Sequence, residues 1–550
     1  MERYMAHLLK GAEYRTRQFM GSQVKNPASL QYGGIKGDIW EAKPTIYALA
    51  SALAVYFHED SCFYKSKELY QAVDLALDFI ARTQREDGSF DYPSCNFKSA
   101  ADTSFCFKRL IAAYRLLVKY GNPADEAIRV LKEKYLTIMH KALDAIREGG
   151  FHTPNHRWGI AAALLQGSNL FAAEKEFAAG LKNRAEQYLA EGIDGDEDGE
   201  YAERSTGNYN AVVNNAMMAM YQETGDEAFL GYVERNLSMM LTYMDPDDTI
   251  FTQNSTRQDQ GKLEYADKYF YQYLYMCSRE KNPAFDGAAH KIIKDNMERG
   301  DLAPDCLHIV MNHDEMMGYH FEEYGFLEEY RKFFRHAGVL RVRKPSYTYT
   351  VLNGKSAFLY FKSKGTTLCV KIGESCCDIR NFIPQTIEEL PDGCRLEAEA
   401  QSWYYLPFKE KQDTSDWWKM DQSKREKLIS SRLKTTLEIR EKEQGLELNL
   451  KAEGLDRLPL RLEICIPAGV SIEHPAFAAF ALEAGAGESM ILKDGYLEIH
   501  DGLTTVEIGP GFGEHSFKGH YSGEEINSAG YTVYANGYTP LEKHFSLMVK

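Results

Sequence analysis

Residues 339–354 read VLRVRKPSYTYTVLNG, and this stretch decides the fold class. Apolar and polar side chains alternate through it, and it ends on an Asn-Gly pair, which is the pattern of β-strands joined by tight turns. The same period of two continues downstream, for example in LKTTLEIREKEQGLELNLKAEG at 433–454. We therefore predict an antiparallel β-sandwich over residues 336–550.

The chain before this region has a different period. Segments 43–58 (KPTIYALASALAVYFH) and 104–121 (SFCFKRLIAAYRLLVKYG) place apolar residues three and four positions apart, which predicts helices with one apolar face. We expect about ten to twelve helices joined by short loops. Successive helix pairs of this kind suit an (α/α) toroid, an incomplete helical barrel. The predicted fold is α+β multidomain, with the toroid over 1–335 followed by the β-sandwich.

Charge and hydropathy exclude several classes of partner. Lys and Arg total 64 and Asp and Glu total 80, so the formal net charge is −16; this argues against nucleic acid, which needs a basic surface. The sequence contains no run of about 18 apolar residues, so it predicts no membrane span. The first residues read as an amphipathic helix and not as a signal peptide, which favours a cytoplasmic location. Secretion or a periplasmic location would require a leader that has been removed.

The first candidate site lies at a junction between a loop and a helix, GGFHTPNHRWGIAAALL at 149–165. Polar and aromatic residues crowd this short loop, which is typical of binding sites on a rigid scaffold. Asn155 alone has a simpler interpretation as the N-cap of the helix. That interpretation leaves the neighbouring side chains unexplained: His152, His156, Arg157 and Trp158.

A second junction, GIDGDEDGEYAERSTGNYNAVVNN at 192–215, is rich in Gly and Asp. Its aspartates resemble the start of a calcium loop, but Ser205 stands where a bidentate Glu would be needed. We expect a solvated acidic turn, no metal centre and no required cofactor, with a structural divalent cation as the alternative. The candidates for substrate binding or catalysis here are Glu203, Arg204 and Tyr209.

Two further clusters are less defined. Residues 251–275 carry Arg257 and Tyr265, two candidates for substrate binding. Residues 308–325 contain His308, His313 and His320 without the HExxH spacing of a zinc protease.

Asn, His, Arg and Tyr together, without a metal or nucleophile motif, fit β-elimination of a uronic-acid glycan. The C5 proton is α to a carboxylate and is very weakly acidic, so an amide or cation must neutralise that carboxylate. A His or Tyr removes the proton, and a Tyr hydroxyl protonates the leaving O4 oxygen. A nearby cation would lower the pKa of such a tyrosine from its usual value near 10.

Two motifs make the chain resemble the heparinase II/III-like polysaccharide lyases, which join a helical toroid to a C-terminal β-sandwich. They are PNHRWGIAAALL (154–165) and DEDGEYAERSTGNYNAVV (196–213). The resemblance implies that Asn155 neutralises the uronate carboxylate, that Tyr209 is the catalytic acid, and that Glu203 supports the site. Asn210 stands where the family usually has a histidine.

The family's base histidine lies later in the chain, near the boundary between helices and sheet. The candidates there are His313, His320 and His336, with His313 preferred, and His156 is the alternative because it adjoins Asn155. The resemblance implies a uronate-containing poly- or oligosaccharide as partner. The lack of a clear basic run favours a less sulfated glycan, and the oligomeric state is not encoded in any recognisable pattern.

Two alternatives remain open from the sequence. A helical-barrel glycoside hydrolase acting on uronate oligosaccharides needs two carboxylates about 5–10 Å apart. Its acids could be drawn from Asp38, Glu41 and Asp102. A non-catalytic carbohydrate-binding protein would use Asn155, His156, Arg157 and Tyr209 as binding groups only.

Overall fold

The computed structural model describes residues 3–322, 324–376, 378–477, 480–517 and 527–550. The chain divides into two compact units. The first runs up to Met244 and includes Asp248–Leu327. The second contains Asp245–Asp247 and Glu328–Lys550. The sequence predicts this boundary between residues 335 and 336.

Helices form the first unit, together with a two-stranded hairpin, β1 (Phe90–Tyr92) and β2 (Asn96–Ser99). A short 3-10 helix spans Ala266–Tyr269. The α-helices are α1 Arg3–Ser22, α2 Lys43–Phe57, α3 Lys67–Thr83, α4 Ala100–Tyr120, α5 Glu126–Glu148, α6 Pro154–Leu170, α7 Lys175–Leu189, α8 Tyr209–Thr224, α9 Glu227–Leu241, α10 Phe270–Arg279, α11 Pro283–Arg299, α12 Leu307–Asn312 and α13 Asp314–Met317.

The helices form an inner and an outer layer. In the inner layer α2 packs on α4, α4 on α6 and α6 on α8, while in the outer layer α3 packs on α5 and α5 on α7. The sequence explains the assignment: α6 buries an almost unbroken run, 160–168, as a helix covered on all sides must. The outer helix α5 instead buries one stripe, including Ile128, Leu131 and Tyr135.

Side-chain caps fix where several helices begin. Ser99 Oγ accepts the Asp102 backbone N–H at 3.0 Å at the start of α4. The Asp125 and Asp226 carboxylates cap α5 and α9 in the same way. Each cap satisfies a backbone N–H that the helix cannot pair, which stabilises the helix start by about 1 kcal/mol.

Two large, mainly antiparallel sheets form the second unit. The strands are β3 Tyr330–Phe334, β4 Val339–Arg343, β5 Thr348–Leu352, β6 Leu359–Lys362, β7 Thr367–Cys376, β8 Ile379–Asn381, β9 Thr386–Leu390, β10 Gly393–Ala400, β11 Trp403–Tyr405, β12 Lys427–Ile429, β13 Leu433–Lys442, β14 Gly445–Glu453, β15 Pro459–Pro467, β16 Ser471–Glu473, β17 Leu482–Glu483, β18 Ser489–Ile491, β19 Leu497–His500, β20 Thr505–Gly509, β21 Gly530–Tyr538 and β22 Leu541–Val549. The first large sheet has the order β17-β16-β19-β20-β22-β14-β13-β10-β9, and the second has the order β18-β21-β15-β7-β6-β5-β4-β3, with β8 paired to β7. Strands β11 and β12 form a separate two-stranded sheet.

Alternating residues of the two sheets share one apolar core. Leu437 and Ile439 of β13 and Leu448 of β14 point into it from one sheet, and Val370 of β7 and Ile464 of β15 from the other. The period-two pattern predicted this arrangement, because alternate strand residues face the same side. The predicted fold class, helices followed by an antiparallel β-sandwich, is confirmed. None of the helices within the described ranges has the length and apolar character of a membrane span.

Candidate active site

The starts of the inner helices carry the polar residues that the sequence singled out. Lys43 is the first residue of α2, Asp102 lies in the first turn of α4, Asn155 and His156 lie in that of α6, and Tyr209 opens α8. Lys43 Nζ and Asp102 Oδ1 are 2.7 Å apart, so the first two helix starts are in contact. Helix N-termini carry partial positive charge, which favours an anionic ligand near them.

Glu203 connects the two junctions found in the sequence. Its Oε2 accepts the Asn155 side-chain amide at 2.7 Å and the Asn155 backbone N–H at 3.3 Å. Its Oε1 lies 3.2 Å from Arg257 Nε. Burial raises the pKa of Glu203, although the Asn155 amide and Arg257 act in the opposite direction. Glu203 therefore holds Asn155 and Arg257 in fixed positions on either side of it.

Tyr209 stands beside this group with its hydroxyl accessible. The Arg257 guanidinium carbon lies 5.2 Å from the centre of the Tyr209 ring. The hydroxyl donates to Gln258 Oε1 at 3.3 Å in a solvent-exposed hydrogen bond. The Ser205 hydroxyl oxygen accepts the Tyr209 backbone N–H at 2.9 Å, which fixes the start of α8.

A buried carboxylate joins the two loops that carry Tyr209 and Arg257. Asp259 accepts the Ser205 and Ser255 hydroxyls at 2.8 and 2.6 Å and the Gly207 backbone N–H at 2.9 Å. A Cβ at Gly207 would lie 3.0 Å from an Asp259 oxygen and 2.9 Å from the Glu264 side chain, so any larger residue would have to displace these side chains. These contacts set the distance between Tyr209 and Arg257.

His156 is a neutral base at the start of α6. Burial, with a smaller contribution from His152, lowers the pKa of His156 to about 4. The His152 and Phe105 rings pack against it with centroids at 4.5 and 5.7 Å. Above about pH 5 its imidazole is therefore uncharged and able to accept a proton.

Two neighbours of Asn155 do not face this cluster. Trp158 is fully buried, and its indole N–H donates to Asp194 Oδ1 at 2.5 Å, so it has no surface for a sugar. Arg157 donates to the Gly192 carbonyl at 2.5 Å and pairs with Glu191 at 3.3 Å. The prediction that Trp158 binds substrate is wrong, and Arg157 and Trp158 connect α6 to the loop after α7.

The N-cap interpretation of Asn155 is also wrong. Thr153 is the N-cap of α6 and Pro154 its first residue, which places Asn155 inside the first turn. Asn155 is only 1% exposed, and its amide donates to Glu203 and to the Thr153 hydroxyl at 3.2 Å. Its remaining oxygen is buried without a hydrogen-bond partner among the described residues.

His313 lies far from Tyr209. Its Nε2 is 3.1 Å from the amide nitrogen of Gln222, in the last turn of α8, whereas Tyr209 is the first residue of that helix. Helix geometry separates these two positions by roughly 20 Å. The prediction that His313 acts as the base together with Tyr209 is therefore wrong. His320 and His336 are both exposed.

The remaining candidates have other surroundings. The Arg299 guanidinium lies 3.8 Å from the Tyr265 ring centre and also pairs with Asp267. Arg204 adopts a left-handed backbone conformation with φ of 49° directly after Glu203. This conformation is uncommon for a residue with a side chain, and such positions cluster at functional sites.

The acidic loop before α8 uses its carboxylates within the protein. Asp194 accepts the Trp158 indole, and Asp196 accepts the Glu200 backbone N–H at 2.8 Å. In the described ranges, the one group of three His, Cys, Asp or Glu side chains close enough to share a metal ion is Glu473, Glu498 and His500, in the second unit. A structural cation at the acidic loop stays a prediction.

The sequence does not predict the ion pair of Lys43 with Asp102, and Asp102 is predicted only for the alternative hydrolase. Asp102 pairs with Lys43 and accepts the Ser99 hydroxyl at 2.7 Å. Glu41 lies near this pair, and burial raises its pKa. Two local signals could have marked these positions as helix starts: Lys-Pro at 43–44, and Ser99 followed three residues later by an acid.

Known structures match the whole chain. The Paenibacillus xanthan lyase superimposes with a TM-score of 0.56 at 9% identity, covering 100% of this chain and 57% of that one. The heparan sulfate lyase of Pedobacter heparinus gives 0.53 at 10% identity, with 98% and 82% covered. The chondroitin AC lyase of Streptomyces coelicolor, in complex with chondroitin sulphate, gives 0.53 at 10% identity, with 100% and 80% covered.

The chain has the polysaccharide lyase fold. The helical toroid and β-sandwich implied by the motif resemblance are therefore confirmed as an architecture. No family model and no curated protein matches the sequence. At about 10% identity the similarity establishes the fold alone.

Proposed function

We propose that the protein is a polysaccharide lyase that cleaves a uronate-containing glycan by β-elimination at the N-terminal ends of α6 and α8. The observation that carries this proposal is the accessible Tyr209 hydroxyl beside Arg257, on a fold shared with lyases. A neutral His156 lies in the first turn of the neighbouring helix α6, close enough to Arg257 for that charge to contribute to its lowered pKa. No metal ion or organic cofactor is needed for this chemistry.

Arg257 and the helix N-termini are the groups that we assign to the uronate carboxylate. Arg257 keeps 27% of its side chain exposed, whereas Asn155 is buried and both of its amide hydrogens are donated inside the protein. We therefore assign Asn155 a positioning role through Glu203, in place of the direct contact implied by the resemblance. Neutralising the carboxylate stabilises the carbanion that forms when the C5 proton leaves.

His156 and Tyr209 supply the proton transfers. The C5 proton goes to the neutral imidazole of His156, and the C5–H electron pair forms the C4–C5 double bond as the C4–O4 bond breaks. The Tyr209 hydroxyl gives its proton to O4, and water then restores both side chains by exchange. A bound carboxylate raises the pKa of His156, which makes it a stronger base in the complex.

Incubation with a panel of uronate polymers and oligomers tests the function. The new C4–C5 double bond is conjugated with the carboxylate, so its ultraviolet absorbance should rise together with the number of reducing ends. New reducing ends without that absorbance would establish hydrolysis and contradict the proposal. Binding without cleavage of any uronate glycan would make the protein a carbohydrate-binding protein.

A further inference from the structure

The helical unit contains a partly open cavity whose wall includes none of Tyr209, Arg257 and His156. Its volume is about 300 Å³, the lower end of the range for small-molecule sites. Helices α4, α6, α8 and α10 and the segment 304–313 line it. The wall includes the amide side chains of Gln166, Asn208, Asn215, Gln222 and Asn312.

Two polar side chains of this wall have no partner within the described part of the chain. Neither the Lys108 ammonium group nor the Gln166 side-chain amide makes a hydrogen bond or ion pair to any residue there. Gln166 is only 5% exposed, so its amide faces the cavity and not bulk water. Both residues also line a smaller adjoining cavity of about 20 Å³. Buried polar groups without partners are rare in native proteins and require an explanation.

The other charged groups of the wall are already paired. Arg109 Nη1 lies 3.2 Å from Asp305, and Arg115 pairs with Glu223. Lys268 donates to the Gly207 carbonyl at 2.8 Å and lies 3.4 Å from Glu264. Asp267 is held by Arg299 at 3.1 Å.

The histidines of the wall do not change this charge balance, because an imidazole is either neutral or cationic. Burial and Arg109 lower the pKa of His308 to about 3, so it is neutral. Burial also lowers the pKa of His313. Among the described residues that line the cavity, Lys108 is therefore the cation without a counter-charge.

We propose that this cavity binds one sugar-sized carboxylate, with the Lys108 ammonium and the Gln166 amide as the donors to its carboxylate group. The amides along the wall offer both donors and acceptors for hydroxyl groups, which favours a sugar acid over a simple fatty or aromatic acid. The apolar residues between them, such as Ile111, Val212 and Met218, suit the C–H faces of a sugar ring.

The protonation state of Lys108 gives the proposed site a signature that can be measured as proton uptake. Burial and the neighbouring Arg109 lower the pKa of Lys108 to about 7. A bound carboxylate favours the charged ammonium and raises that pKa again. Between these two pKa values, binding must therefore take up a proton from solution. The choice of a uronate as ligand rests on the proposed function, but binding at this site does not require cleavage.

Isothermal titration with sodium D-glucuronate at pH 8.5 tests the proposal, with D-glucose and sodium acetate as reference ligands. We expect glucuronate to bind at least tenfold more tightly than either reference. We also expect buffers of different ionisation enthalpy to reveal an uptake approaching one proton per ligand. Equal binding of acetate and glucuronate would overturn the sugar assignment, and absence of glucuronate binding would overturn the site.

Variants locate the binding. Lys108→Met keeps the length of the side chain and removes the amine, and Gln166→Leu removes the amide. Each should weaken glucuronate binding at least tenfold, and Lys108→Met should abolish the proton uptake. Lys182→Met, at an exposed position of α7, is the matched control and should change neither. Unchanged binding in both cavity variants, with melting curves showing folded protein, would overturn the proposal.

Glucuronate binding in the cavity can be tested separately from the proposed lyase activity. Tyr209→Phe should keep both the binding and the proton uptake, because Tyr209 does not line the cavity. Loss of lyase activity with intact glucuronate binding would affect only the reaction. Intact activity on uronate polymers with no glucuronate binding would contradict only the cavity site.

Discussion

Helix α8 has a tyrosine at one end and a nearby histidine at the other, and the two ends differ in chemistry. At the N-terminus, Tyr209 lies beside Arg257 and its hydroxyl is accessible. At the C-terminus, His313 contacts Gln222, Glu315 and the Tyr275 ring. The helix dipole favours an anion at the first end and disfavours it at the second. An anionic substrate should therefore react at the Tyr209 end, even though both ends offer groups that transfer protons.

The largest effect is expected at Tyr209. Tyr209→Phe removes the proton donor to O4 and should lower kcat by about 10⁴-fold, the upper range for one acid-base group. Steady-state absorbance assays measure kcat, and equilibrium titration should show substrate binding within a few-fold of wild type. Tyr265→Phe is the control, because Tyr265 packs on Arg299, and it should keep its activity. High activity in Tyr209→Phe would remove Tyr209 from the chemistry.

Two histidine variants separate the ends of α8 directly. His156→Gln should lower kcat by about 10³-fold because it removes the proposed base. His313→Gln should change kcat by less than about twofold, the effect of losing a surface hydrogen bond distant from the reaction. The reverse ranking would place the reaction at the C-terminal end and restore the base implied by the family resemblance.

The pH dependence should follow the same histidine. Because the pKa of His156 is lowered to about 4, kcat/KM should stay constant above about pH 5 and fall tenfold per pH unit below pH 4. The unfolded chain binds more protons than the folded one between pH 4 and 6.5, so this residue makes the protein less stable as pH falls through that window. His156→Gln should flatten both profiles. If the residual kcat/KM of His156→Gln still fell tenfold per pH unit below pH 4, that fall would belong to another group.

An arginine pair tests the role of charge at the two ends. Arg257→Met should lower kcat/KM by about 10²-fold, the scale of losing one group that stabilises developing negative charge. Arg279→Met is the matched change, because Arg279 lies over Tyr221 and Tyr275 near the other end of α8. It should keep kcat/KM within about twofold. Equal losses in the two variants would indicate a general electrostatic effect and not a local one.

The smallest of these effects is on stability. Asn155→Ala removes the amide that binds the buried Glu203 carboxylate and should lower the free energy of unfolding by about 1–3 kcal/mol. Chemical denaturation measures this change. Asn169→Ala removes an exposed amide from Glu223 and should cost less than about 1 kcal/mol. A fully stable Asn155→Ala would contradict the positioning role through Glu203.

The sequence predicted the fold well because the fold depends on periodicity. Apolar spacing of three and four residues before 335 and of two after it is visible in one chain, since it follows from helix and strand geometry. The two motifs around Asn155 and Tyr209 also come together as the resemblance implied, through Glu203.

The sequence could not predict which way each side chain points. Asn155 and Trp158 are three residues apart, and yet one contacts Glu203 while the other contacts Asp194. His313 was chosen for its place near the helix-to-sheet boundary, and only the direction of α8 shows that it lies at the wrong end. Lys108 and Gln166 line a cavity that no sequence pattern indicates, because a lysine or glutamine in a helix carries no signal of one.

The central claim is that a uronate glycan is cleaved by elimination at the Tyr209 end of α8. Mass spectrometry of the products from a defined uronate oligosaccharide tests it most directly. Elimination predicts that the two fragments together have the mass of the substrate, with the new non-reducing end lighter than a hydrolytic fragment by one water, and that Tyr209→Phe yields neither fragment. Fragments that together contain one added water, or unchanged cleavage by Tyr209→Phe, would contradict the account.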